Sequence, residues 1–159
     1  MKNCSVRWSI ALVLAVLTLG IVNAGSPMED LAKEREKYAG TWKVTSVVVD
    51  GRPLPDADCH KLSVINQTDG VWSLQENGKE IFLGTSTIDP TKLSKTIDFT
   101  ITKGKDAGKR FVGIYELATN TRKLCFVEHG HDRPTEIASN PGSGRILVLF
   151  ERRDSANSR

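Results

Sequence analysis

The sequence predicts an all-β protein: an eight-stranded antiparallel barrel preceded by one short N-terminal helix. Three observations lead there. The spacing of apolar residues drops from 3.6 to 2 after Gly40, eight alternating runs then follow between short polar turns, and no later stretch carries a helical pattern. The last observation excludes parallel folds built from strand–helix–strand units. Hairpin-linked strands leave exposed edges, and closing the sheet on itself removes them. A two-sheet sandwich is the alternative architecture.

Residues 1–24 stand apart from the fold. Lys2 and Arg7 make a basic start, Ile10 to Val22 is almost continuously apolar, and Val22-Asn23-Ala24 offers the small side chains of a signal peptidase site. This is the pattern of a secretory signal peptide, and its apolar run is short for a bilayer span of about 20 residues. The expected product is exported, periplasmic or secreted, with no membrane span after processing. Removing Lys2 and Arg7 brings the 22 basic residues to within one of the 19 acidic ones, so the basic excess says nothing about nucleic acid. Lys103, Lys105, Lys109 and Arg110 cluster, but Asp106 interrupts them and no aromatic interleaves, as in a solvated turn.

Ser26 as cap, Pro27 at the first helical position and Glu29 at the capping-box spacing start a helix within residues 25–39. Met28, Leu31, Arg35 and Tyr38 share one side of it, and Gly40 ends it. The barrel domain occupies 40–153. Trp42, Val44, Ser46 and Val48 alternate with Lys43 and Thr45 before the Asp50-Gly51 turn; Leu62 and Val64, then Trp72 and Leu74, repeat the pattern. Asn77-Gly78 is a strong hairpin signal. Ile81 to Ile88 follows, and then Ile97, Phe99 and Ile101 alternate with threonines and Asp98. Phe111 to Leu117, Lys123 to Glu128 and Arg145 to Glu151 complete the series, and residues 154–159 form a polar tail. The length of 159 residues suits one domain, and a mean hydropathy of −0.26 excludes a multi-span membrane protein.

Gly40-Thr41-Trp42, at a helix-to-strand junction, resembles the Gly-x-Trp signature of lipocalin-like barrels. A longer ordered set adds to it: Asp50-Gly51-Arg52-Pro53-Leu54-Pro55, Asp89-Pro90-Thr91-Lys92, Gly113-Ile114-Tyr115-Glu116-Leu117, Leu124-Cys125-Phe126, Asp132-Arg133-Pro134-Thr135-Glu136 and Asn140-Pro141-Gly142-Ser143-Gly144. Together these resemble an uncharacterised lipocalin-like domain expanded in planctomycete bacteria. The resemblance implies a barrel and an exported or envelope setting, and it implies no reaction. The Thr-Asp-Tyr signature of ordinary lipocalins is absent. Under this resemblance Gly40, Trp42 and Arg152 are structural, with Arg152 of the last strand stacking on the Trp42 ring.

Candidate sites are few. Trp72, Phe99, Tyr115 and Phe126 sit in alternating strands, where aromatics fill a core or line a pocket; they are the candidate ligand-binding residues, for a small apolar molecule in or at the mouth of the barrel. Cys59 and Cys125 remain after processing, an even count that admits a disulfide in an oxidising compartment, while the apolar run around Cys125 suits a free buried thiol equally. His129, His131 and Asp132 could ligate a metal, but a glycine-bearing turn is polar in any case, and no cofactor follows from it. Asn66-Gln67-Thr68 matches a glycosylation sequon. The readings are therefore a non-enzymatic binding barrel, a filled structural or protein-interaction domain of the envelope, and, least favoured, a metal-dependent enzyme using His129, His131 and Asp132.

Overall fold

The computed structural model describes residues 26–153. The signal peptide expected at 1–24 and the tail at 154–159 lie outside them. Helix α1, Pro27–Tyr38, begins where the Ser26 side chain accepts from the Glu29 amide. Ala39 caps it, and the chain turns into the first strand at Gly40, whose φ of 115° lies in the left-handed region that favours glycine. A Cβ there would come within 2.9 Å of the Arg152 guanidinium, so the glycine also makes room for that contact.

The strands are β1 (Gly40–Val49), β2 (Arg52–Pro53), β3 (Leu62–Asn66), β4 (Val71–Glu76), β5 (Lys79–Asp89), β6 (Thr96–Lys103), β7 (Arg110–Leu117), β8 (Thr121–Glu128) and β9 (Ile146–Arg152). Every pairing is antiparallel, strand follows strand from β3 to β9, and β1 pairs with both β3 and β9. Eight strands therefore close a barrel, with the two-residue β2 folded back on the end of β1. Among the described residues no helix is long and apolar enough to cross a membrane.

The barrel also departs from the sequence reading in detail. A four-residue helix α2, Asp56–Cys59, follows Pro55, too short to leave a periodic signal. In β1 the register shifts between Val44 and Ser46, so the inward face continues through Val47 and Val49 instead of Ser46 and Val48. The bulge keeps a carbon surface inside where strict alternation would have placed a hydroxyl.

Helix α1 covers the end of the barrel where β1 starts and β9 finishes, but its expected side is buried only toward the C-terminal end, through Tyr38 and, in part, Arg35. Met28 is 79% exposed and Leu31 is also exposed, whereas Glu34 and Tyr38 are buried. The reason is the surface it meets: Glu34 accepts from Lys95 Nζ at 2.7 Å and Tyr115 Oη at 3.2 Å, and Arg35 donates to Ser86 Oγ at 3.2 Å. Polar groups at the strand ends select a polar helix face. At the outer wall, the segment between β8 and β9 is held by Arg133, which donates to the Gly113 carbonyl at 2.7 Å and pairs with Asp98 at 2.6 Å, with Pro134 buried beside it.

Candidate functional site

The floor of the barrel is built around Trp42, which is fully buried. Its indole Nε1 donates to the Tyr38 carbonyl at 3.0 Å, tying the ring to the last turn of α1. Arg152, its cross-strand partner in β9, places its guanidinium 4.1 Å from the ring centre. The same guanidinium donates to the carbonyls of Thr119 at 3.0 Å and Ala39 at 2.9 Å, and to that of Lys37. One side chain thus joins helix, last strand and the β7–β8 turn.

A second arginine meets the same floor from inside. Arg122 is 2% exposed, and its guanidinium lies 4.1 Å from the Phe150 ring, 4.5 Å from Tyr38 and 4.8 Å from Trp42. Its Nε and Nη1 have no hydrogen-bond partner, and among the described residues no carboxylate pairs with it. Burial lowers its affinity for a proton, which the nearby Tyr38 opposes, yet an arginine remains a cation at neutral pH. A desolvated cation–π contact is worth about 2 kcal/mol, while taking an ion out of water costs several kcal/mol. The rings therefore offset part of the burial cost and leave the donors unsatisfied.

Above this floor lies a cavity of about 340 Å³ running to the opposite rim, where Val49, Phe82 and Asp106 line it. Its wall is carbon-rich. Trp72, Phe99 and Phe126 all face it, with Trp72 edge-on to Phe99 at 5.7 Å and Phe126 edge-on to Phe99 at 5.0 Å. Trp72 lies against Gly84, where a Cβ would come within 2.3 Å of the indole. Near the floor the wall turns polar at Asn66, whose Nδ2 is unpartnered, and at Trp72, whose Nε1 is unpartnered as well. A separate recess of about 350 Å³ on the outer wall, between Lys95, Ile114 and Ile137, has a mixed lining and none of these unpartnered groups.

Of the four candidate ligand-binding aromatics, Tyr115 is the exception. It points inward on β7 but below the cavity, where it packs edge-on to Tyr38 at 5.3 Å and donates to Glu34. Burial, and then the Glu34 charge, push its phenol well above the ordinary range. Cys59 and Cys125 are free thiols and form no bridge. Cys59 belongs to the interior cluster beside Leu54, whereas Cys125 points out of the barrel on β8 and donates to the Ala138 carbonyl at 3.3 Å; burial pushes its thiol up. His129, His131 and Asp132 are exposed in a tight turn at Gly130, and among the described residues no three histidine, cysteine or acidic side chains group to hold a metal. Asn66 of the sequon turns into the barrel, away from any glycosylating enzyme.

Sequence reasoning missed Arg122 and Asn66. Phase was an available signal for Asn66, two residues after Val64, but not for Arg122, because the run Leu124-Cys125-Phe126-Val127 is apolar on both faces. No family model, no curated protein and no solved structure matches the chain.

Proposed function

We propose that this chain is an exported, non-enzymatic binding module that holds one small, largely apolar molecule inside its barrel. The observation that carries the reading is the cavity of about 340 Å³ walled by Trp72, Phe99, Phe126 and aliphatic side chains. Protein interiors are close-packed, with few voids larger than a water molecule, so a barrel serving only as a structural block would fill that space with side chains. The volume falls at the lower end of the roughly 300–1,000 Å³ typical of small-molecule sites. The signal-like residues 1–24 support export. Catalysis needs an activated nucleophile, an acid–base pair or an open metal site; what faces the cavity is mainly hydrocarbon, with donors at one end.

The test is native mass spectrometry of protein purified from its own host, followed by titration with decanol. Wild-type protein is expected to carry or take up one apolar molecule. The Val64→Trp variant, which puts an indole into the cavity from β3, is expected to remain folded and take up none. Wild type that neither retains nor binds an apolar molecule would favour a structural or protein-interaction domain.

A further inference from the structure

The cavity is asymmetric, and the asymmetry is chemical. Its walls are mainly hydrocarbon and Asp106 stands at its rim, while the unpartnered buried polar atoms cluster toward the helix-covered end: Asn66 Nδ2, Trp72 Nε1, and Nε and Nη1 of Arg122. The strand registers put them there. Asn66 is opposite both Gly40 and Trp72, and Arg122 is opposite Phe150, next to the strand that carries Trp42. All of these atoms are donors, and two belong to a cation without a counter-ion among the described residues. Buried donors in folded proteins are almost always satisfied, so such a set is complementary to something that only accepts.

We infer that the ligand is an unbranched apolar monocarboxylate, bound head-first, with its carboxylate at Arg122 and the Asn66 and Trp72 donors and its hydrocarbon chain along Phe99 and Phe126 toward the rim. An ionised carboxylate has no donor and about four acceptor positions, and guanidinium is its planar, bidentate match. A neutral carbonyl or alcohol would leave the Arg122 charge uncompensated. The three rings around the guanidinium hold it in place before a ligand arrives, so little side-chain freedom is lost on binding. This inference rests on the barrel-binding reading and specifies the head group that reading leaves open.

The experiment compares decanoate with decanol, which share a chain and differ in the head, by calorimetric titration of wild type and Arg122→Met. Wild type is expected to bind decanoate at least tenfold more tightly than decanol. Arg122→Met should lose at least tenfold for decanoate and stay within about twofold for decanol, which shows at once that the cavity is intact. Equal binding of both probes, unchanged in the variant, would overturn the head-group inference and leave the barrel-binding reading standing. Binding of neither probe would remove both. Should Arg122→Met fail to fold, Asn66→Asp provides the second arm, since it sets a carboxylate among the donors. It should weaken decanoate at least tenfold and spare decanol, and undiminished decanoate binding would overturn the inference.

Discussion

Two guanidiniums rest against one indole, and they are treated in opposite ways. Arg152 stacks on Trp42 and gives its hydrogens to three backbone carbonyls from two other segments of the chain. Arg122 lies against Trp42, Tyr38 and Phe150, and its Nε and Nη1 find no hydrogen-bond partner among the described residues. The first has exchanged water for main-chain oxygens, at little net cost, and it latches the barrel shut. The second has lost its water and found only aromatic faces. A fold selected for stability alone would place a hydrocarbon at position 122, as buried charge is often replaced by apolar side chains without loss. The contrast separates a charge that builds the floor from one whose donors stay unsatisfied above it.

Breaking the shared platform should have the largest effect. Trp42→Ala removes a fully buried ring, the contact to both arginines and the hydrogen bond to Tyr38, and is expected to cost about 3–5 kcal/mol in denaturant unfolding. A near-neutral result would mean that the platform is peripheral. The pair Arg152→Met and Arg122→Met then tests the contrast directly. Arg152→Met strands carbonyls of the α1 terminus and the β7–β8 turn and should lose about 1.5–3 kcal/mol. Arg122→Met, in ligand-free protein, should unfold at the wild-type temperature or above it. Equal losses in the two variants would erase the distinction. The smallest effect belongs to the opposite end: His129→Ala with His131→Ala alters two exposed side chains and should stay within about 0.5 kcal/mol of wild type. Stoichiometric zinc in the native protein that disappears in this double variant would restore the metal reading.

The walls of the barrel were far more legible than its floor. The runs beginning at Trp42, Leu62, Trp72, Ile81, Thr96, Phe111, Lys123 and Arg145 each fall within one residue or two of an observed strand, because one face of each meets the interior. Strand β8 shows where the signal fails. Leu124 and Phe126 face the cavity, but Cys125 and Val127 are also buried, under the segment that follows the strand. With both faces apolar, alternation does not say whether Arg122 or Lys123 enters the barrel. Helix α1 fails for the converse reason. Its apolar residues Met28 and Leu31 suggest a docking face, but the surface that receives it presents Lys95, Tyr115 and Ser86, and the match is decided by those distant groups. In β1 a single bulged residue resets which valines point inward.

The meeting of β1 with β9 also governs the order of events during folding. The Arg152 guanidinium reaches a carbonyl 113 residues earlier in the chain, and bringing such distant segments together costs about 4 kcal/mol on a (3/2)RT ln n scale before any contact rewards it. Hairpins from β3 to β8 pair neighbours and can form early, whereas the seam waits for the last strand. Until β9 docks, the partly formed sheet carries two unpaired edges, β1 and β8, each able to recruit a neighbouring chain. Closure by β9, the last strand of the barrel, is then the rate-setting step of folding, and deletions within it should produce aggregates instead of a smaller soluble barrel.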